Sequence, residues 1–167
     1  MAPTLLIVPL REQPDAAGFF APLFEREWPN WYGPGGQGNA ATDLAAFANP
    51  AGELPVGVLA VAADGSRVGV AALKAASLPG FGHLTPWASA GFVVPGMRRQ
   101  GVGAALLRAL LVEARRLGYP FVYCATATAA SLLERQGGRL VKRAEHEGST
   151  VSVYSIAVPP KRAIGAA

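Results

Sequence analysis

Two arginines and two closely spaced glycines form the part of the chain with the clearest potential for chemistry. The segment reads Gly91-Phe-Val-Val-Pro-Gly-Met-Arg-Arg-Gln-Gly-Val-Gly-Ala104, which predicts a buried strand, a tight turn and the start of a helix. The first N–H groups of a helix lack intrahelical partners and, with the helix dipole, attract anions. Glycine lets an anion approach the backbone closely, and arginine adds charge-assisted bonds to phosphate oxygens. The segment therefore predicts a pyrophosphate site.

The helix that must follow this turn has a clear periodicity. Apolar residues recur three and four positions apart along one face: Val102, Ala105, Leu106, Ala109 and Leu110. Gly118 is a natural stop for this helix. Strands are predicted on both sides, over residues 87–94 and 121–126, and a short helix ended by Gly137-Gly138 comes next. The anion site would thus lie at the carboxyl end of a strand.

The rest of the chain alternates strand and helix signals. Asp15 is predicted to cap a helix that runs to about Trp28, and Thr42 is predicted to cap a second, short helix. The remaining predicted strands cover residues 4–10, 56–62, 67–74, 139–145 and 150–157, with turns at Asp64-Gly65 and Glu147-Gly148. This order favours an α/β (α+β) fold, a mixed sheet with helices on both faces.

Composition limits the class of protein. A chain of 167 residues, 51% of them apolar, fits one domain with a sizeable core. No apolar run reaches the ~18–20 residues that cross a bilayer, and the N-terminus lacks the features of a secretion signal. We therefore expect a cytoplasmic protein without membrane contact. The single cysteine, Cys124, excludes a disulfide framework and a multi-cysteine zinc site, and no metal site is predicted.

The positive charge of the chain does not indicate nucleic-acid binding. The net charge is +4 and the pI is about 9.6, but no RNA- or DNA-binding motif accompanies the basic residues. These residues concentrate at Arg98 and Arg99, along the following helix and over residues 135–143. Such a patch suits a polyanionic cofactor, so we predict no nucleic-acid partner.

The spacing Arg98-x-x-Gly101-x-Gly103 resembles the acetyl-CoA-binding signature of the GNAT superfamily of N-acyltransferases. Upstream, residues 84–94 resemble the family's fourth strand, in the form found in a bacterial branch with a Thr-Pro-Trp segment. Residues 117–126 resemble its fifth strand, and the likeness covers roughly residues 55–157. It implies a mixed, mostly antiparallel sheet of about six or seven strands with about four helices. A single domain over residues 1–158 and a tail over residues 159–167 are expected.

The resemblance also implies acetyl-CoA as cofactor. In the family, the fourth strand splays from the fifth, and its free backbone groups pair with the pantetheine arm and the thioester oxygen. The residues that the resemblance assigns to the cofactor are Phe92, Val93, Val94, Arg98, Arg99, Gln100, Gly101, Val102, Gly103, Ala104 and Thr126.

The activity implied is transfer of the acetyl group to a primary amine by direct attack on the thioester. The acceptor would be a small molecule or a peptide, and homodimers are common in the family. Glu27 and then His83 are the candidates for a general base, although an amine that arrives neutral needs none. Trp28, Trp31 and Tyr32, with Trp87, could form an aromatic wall for a cationic or aromatic amine, and the glycine-rich segment 33–39 could form a lid or a plain connection.

One departure from the family pattern leaves the activity open. Many members place a tyrosine in the helix after the fifth strand, where it protonates the leaving thiolate, but alignment puts Leu133 there. Ser131, Tyr123 or water could substitute, because a thiol of ordinary pKa leaves tolerably without an acid. The alternative is a non-catalytic acetyl-CoA-binding or sensing module. A nucleotide-binding domain would need an acidic residue about 20 positions after the turn, and Glu113 comes too early.

Overall fold

The structure, a computed structural model, describes residues 2–160. The predicted tail over residues 159–167 therefore lies outside the described residues, apart from Pro159 and Pro160, which belong to no helix or strand. Within the described part of the chain, no helix is long and apolar enough to cross a membrane.

The strands form one seven-stranded sheet of order β1-β2-β3-β4-β5-β7-β6. Their bounds are β1 Leu5–Pro9, β2 Val56–Ala62, β3 Arg67–Lys74, β4 Trp87–Val93, β5 Phe121–Thr126, β6 Arg139–His146 and β7 Ser149–Ala157. Every neighbouring pair is antiparallel except β4 and β5, which run parallel. The prediction of a mixed, mostly antiparallel sheet is confirmed.

Helices cover both faces of this sheet. They are α1 Ala16–Glu27, α2 Pro29–Tyr32, α3 Ala40–Phe47, α4 Val102–Arg116 and α5 Ala130–Arg135. Strand β2 is buried on both sides: Val56 and Val58 pack in the core that contains the apolar face of α4, whereas Leu59 and Val61 pack in the core formed with α1 and α3. Each fully buried side chain of this size contributes about 1.5–3 kcal/mol.

Two predicted helix caps are wrong: the Asp15 side chain has another partner, and α3 begins earlier than predicted. Asp15 makes no capping hydrogen bond; its carboxylate accepts a hydrogen bond from Arg67 at 2.6 Å, which lowers the pKa of Asp15. Helix α3 is capped by Asn39, whose side-chain oxygen accepts from the N–H of Thr42 at 2.9 Å. Residues 29–32 form the short helix α2, which begins at Pro29 because proline is favourable at a first helical position.

The turns that define the site follow the sequence closely. Helix α4 begins at Val102, directly after Gly101, and the chain leaves it through Gly118, whose φ of +87° suits glycine. Gly137 has a φ of +86° and ends α5 in the same way. These stops fix where β5 and β6 begin.

Candidate active site

Strands β4 and β5 open into a V. Their register contains one pair, Trp87 with Tyr123, and the Tyr123 N–H donates to the Pro86 carbonyl at 2.9 Å. Beyond that point the strands separate, and the predicted splay is present. A cavity of about 900 Å³ occupies the V, bounded by residues from α1, α2, β4, α4, β5, α5 and the β6–β7 turn. This volume lies in the range of about 300–1,000 Å³ that is typical of small-molecule and cofactor pockets.

A β-bulge marks the place where β4 leaves its partner. Two β4 residues, Ala90 and Gly91, face the single β3 residue Ala71, and Ala90 has a φ of +54°. A bulge leaves backbone groups without ladder partners, and both bulge residues line the cavity. This bulge was not predicted, although a glycine inside a strand pattern is a recognised signal for a bulge.

The three strand residues assigned to the cofactor differ in what their backbone offers. The Val94 N–H already donates to the Val68 carbonyl on β3 at 2.9 Å, so it is not free for a cofactor. Because backbone directions alternate along an antiparallel strand, Val93 turns its groups away from β3 and towards the V. The Val93 carbonyl accepts a hydrogen bond from Arg98 Nε, and the Val93 N–H is left for a ligand. The Phe92 ring lines the cavity and packs in the core with α1.

The turn before α4 presents a run of backbone donors. Across the described residues, none of the N–H groups of residues 99–104 donates to a backbone carbonyl, and the first bond of the helix runs from the Ala105 N–H to the Gly101 carbonyl at 3.0 Å. The side-chain amide of Gln100 donates from Nε2 to the Gly96 carbonyl at 3.1 Å and closes the turn. Free donors at a helix start suit an anion, and the anion site that the motif predicts here stays a prediction.

The two arginines of the motif have different surroundings. Arg98 Nε donates to the Val93 carbonyl at 2.9 Å, Nη2 lies 3.3 Å from Glu27 Oε2, and the guanidinium lies 5.6 Å from the Phe92 ring centroid. The Arg98 side chain is thus directed towards α1 and β4. Arg99 is exposed and, among the described residues, takes part in no ion pair. Of the two, Arg99 is the side chain available to a phosphate.

The first turn of α4 combines a buried and an open side. Val102 is fully buried in the core, so only its backbone can contact a ligand. Gly103 lines the cavity, and a Cβ at this position would lie 3.5 Å from Leu132 Cδ2 on α5. Ala104 is half-buried and does not line the cavity. Gly103 therefore sets how closely a ligand can approach the helix start.

Helix α5 closes the other side of the V. Thr126 ends β5, and its hydroxyl accepts the N–H groups of Thr128 at 3.2 Å and Ala129 at 2.8 Å, which holds the chain leading into α5. Leu133 is 3% exposed and lines the cavity, whereas Ser131 is exposed and does not. The position expected for a catalytic tyrosine is therefore on the cavity wall, with a side chain that cannot donate a proton.

The aromatic wall is formed by the α1–α2 junction. Trp28, Trp31 and Tyr32 line the cavity, and the Tyr32 hydroxyl donates to Asp43 at 2.7 Å. Burial and this hydrogen bond raise the pKa of Tyr32, so the phenol stays neutral at physiological pH. Trp87 belongs elsewhere: it is fully buried, and its indole N–H donates to the Leu84 carbonyl at 2.7 Å. The wall thus has three members.

The glycine-rich loop of residues 33–39 packs against this wall. The Gly38 N–H donates to the Trp31 carbonyl at 2.8 Å, and a Cβ on Gly38 would overlap the Trp31 indole. The Gly36 N–H donates to the Gly33 carbonyl at 2.9 Å, and Asn39 then caps α3. The loop supports the position of Trp31, and its glycines allow that close packing.

Titratable side chains reach the cavity from two directions. Glu27 lines it at the end of α1. His83 is exposed, stacks on Phe81 with ring centroids 6.3 Å apart, and does not line the cavity. His146 and Glu147, at the tip of the β6–β7 hairpin, do line it and were not predicted. The sequence predicts the turn between β6 and β7, but it does not predict that this turn lies next to the V.

Cys124 lies on β5 and lines the cavity. Burial raises the pKa of its thiol to about 11, so the thiol is protonated near neutral pH and is a poor nucleophile. The residues that the structure describes also contain no group of three or more His, Cys, Asp or Glu side chains that could hold a metal ion.

A sheet opened between two parallel strands, beside a helix start with free N–H groups, is the arrangement that the resemblance to the GNAT superfamily implies. Residues 20–138 match the sequence model of the acetyltransferase (GNAT) family, and the chain belongs to that family. Comparison with curated protein sequences finds no significant match.

Solved structures share the fold at low sequence identity. An aminoglycoside 6'-N-acetyltransferase complexed with coenzyme A is 15% identical, with a TM-score of 0.73 over 95% of this chain and 99% of that one. The yncA protein of Salmonella typhimurium, solved with its cofactor acetyl-CoA, is 16% identical, with a TM-score of 0.73 over 98% and 99%. The spermidine/spermine N-acetyltransferase SpeG of Vibrio cholerae is 14% identical, with a TM-score of 0.66 over 92% and 95%.

Proposed function

We propose that this protein is an N-acetyltransferase that moves an acetyl group from acetyl-CoA to a primary amine by direct attack. The observation that carries the proposal is the V between β4 and β5, which leads to the free N–H groups of residues 99–104. Those donors suit the pyrophosphate of coenzyme A, and structures with this fold hold coenzyme A or acetyl-CoA.

Backbone groups supply the electrostatic part of the mechanism. Acetyl-CoA brings a thioester whose carbonyl oxygen gains negative charge when an amine attacks. The Val93 N–H and the bulge at Ala90 and Gly91 lie where β4 borders the cavity, so they are the donors available to that oxygen. Loss of one preorganised donor of this kind costs about 3–4 kcal/mol in other acyl-transfer sites.

Glu27 is the carboxylate proposed to take the proton of the attacking amine. It lines the cavity beside Trp28, and one of its oxygens is held by Arg98 at 3.3 Å. The other oxygen, Oε1, makes no ion pair among the described residues and can accept a proton. The aromatic faces next to it suit a cationic group on the acceptor.

The first test is a calorimetric titration with acetyl-CoA, with NAD and ATP as comparators. We expect selective, micromolar binding of acetyl-CoA, followed by turnover in a screen of amines. Absence of binding would show that residues 98–103 only start a packed helix, and the acetyltransferase proposal would be abandoned.

Replacing Glu27 tests the proposed base. Glu27→Gln should slow transfer by about a hundredfold and alter the pH–rate profile. Glu25→Gln is the matched control, since Glu25 is exposed on the same helix and does not line the cavity. If Glu27→Gln changes only the KM for acetyl-CoA and leaves the pH–rate profile intact, Glu27 acts as the partner of Arg98 and is not the base.

A second candidate function is an acetyl-CoA sensor without transfer activity, which Leu133 on the cavity wall favours. Binding of acetyl-CoA without turnover of any amine would support it.

A dinucleotide-binding site fits the structure less well than a coenzyme A site. The β4–α4–β5 crossover is parallel, but β5 ends at Thr126 and is followed by Ala127-Thr128-Ala129, where a ribose would need a carboxylate.

A further inference from the structure

We infer that Glu147 binds a second positive charge on the acceptor, so that the preferred substrates are primary amines carrying another ammonium group. The inference rests on the proposed function and specifies its substrate class. It follows from the position of the β6–β7 hairpin, from the backbone conformation of Glu147 and from the charges around the cavity.

The β6–β7 hairpin reaches past the end of β5. Thr126, the last residue of β5, pairs with Ser152, whereas β7 begins three positions earlier at Ser149. The strand rises about 3.3 Å per residue, so the turn extends roughly 10 Å beyond β5. His146 and Glu147 line the cavity from this overhang, next to the open end of the V.

Glu147 has a left-handed backbone conformation, which glutamate rarely adopts. Its φ is +51° and that of Gly148 is +77°, so both central residues of the turn are left-handed. This turn favours asparagine or glycine at its first central position, and a glutamate there is unusual. Turn formation therefore does not explain the side chain, whereas a carboxylate facing the cavity has a use in binding.

The carboxylate of Glu147 is also free to meet a cation. Its one ionic contact among the described residues is His146 Nε2, at 3.9 Å, whereas Glu27 is engaged by Arg98. Lys74 lines the same cavity at the opposite end, since it pairs with Trp87 where β4 and β5 are still joined. Among the lining side chains, two are carboxylates, Glu27 and Glu147, and one is an ammonium, Lys74.

The aromatic wall also favours a positively charged acceptor. Trp28 and Trp31 line the cavity on the α1–α2 side, and Trp31 is 45% exposed. An ammonium group is attracted to such ring faces. An acceptor with one amine at the thioester and a second ammonium beyond it can reach Glu147, whereas a monoamine of equal length gains nothing from that carboxylate.

The test compares cadaverine with n-pentylamine, which have the same carbon chain and differ in the second amine. In the wild-type protein with acetyl-CoA we expect a higher kcat/KM for cadaverine. Glu147→Gln should lower that value about fivefold and leave n-pentylamine unchanged, as expected for an exposed charge pair. Glu145→Gln is the control, because Glu145 lies in the same hairpin and does not line the cavity. Its carboxylate accepts a hydrogen bond from the Thr150 hydroxyl at 2.6 Å.

A second variant separates binding from stability. Glu147→Asn should cause the same loss with cadaverine while raising Tm, because asparagine tolerates the left-handed conformation. Equal losses for both amines, or a wild-type protein that does not prefer cadaverine, would overturn the inference.

If no amine is acetylated, calorimetry measures amine binding in place of turnover. Cadaverine and n-pentylamine are then titrated into the protein loaded with coenzyme A, and the absence of a Glu147-dependent preference overturns the inference alone. Failure to bind acetyl-CoA overturns the proposed function and the inference with it.

Discussion

Gly103→Glu is expected to lower the affinity for acetyl-CoA by about a hundredfold or more, because like charges brought together in a binding site cost several kcal/mol. The substitution places a carboxylate at the free N–H groups of residues 99–104, where the pyrophosphate is proposed to bind. The backbone of Gly103 is helical and does not require glycine. The measurement is a calorimetric titration, with thermal unfolding to establish that the variant is folded.

Gly103→Ala is the matched control for this variant. A Cβ at this position would lie 3.5 Å from Leu132 Cδ2, an ordinary contact, so alanine should bind acetyl-CoA nearly as well as glycine. Gly101→Glu is a less specific test, since Gly101 has a φ of +86° and any side chain there is strained. Undiminished affinity in a folded Gly103→Glu protein would show that the cofactor site is elsewhere.

Local signals were sufficient to predict most of the scaffold. Strands β2, β3 and β5 have the bounds predicted from apolar runs and turn residues, and α4 begins after Gly101 as its periodicity indicates. These features depend on residues close in sequence. The predicted caps at Asp15 and Thr42 failed because the outcome depended on a distant arginine and on a stronger cap nearby, neither of which a single helix pattern reveals.

The features that define the cavity depend on contacts between distant segments. Arg98 turns towards Glu27 because the end of α1 packs beside β4, which residue spacing around Arg98 cannot indicate. The overhang of the β6–β7 hairpin depends on the register of β7 with β5. His146 and Glu147 were therefore missed, although their turn was predicted correctly. The motif constrains the cofactor side more closely than the acceptor side.

Leu133→Tyr is expected to raise kcat for acetyl transfer, because it restores a proton donor for the leaving thiolate. Leu133 lines the cavity and is 3% exposed, and the neighbouring V provides room for a ring that extends into it. A thiol with a pKa of about 8.5 leaves without help, so the gain is limited to the part of the barrier that proton transfer controls. We expect about a tenfold increase.

Leu133→Phe separates the hydroxyl from the ring. The backbone at Leu133 is fixed by the hydrogen bond from the Gly138 N–H to its carbonyl at 2.8 Å, so both aromatic variants should enter the cavity in the same way. Overpacking should lower the stability of both equally, by about 1–3 kcal/mol. The decisive comparison is kcat for one established amine in the two variants. A higher value with tyrosine assigns the limiting step to thiolate protonation, whereas equal values mean that water already serves as the acid and Leu133 is a tolerated part of the wall.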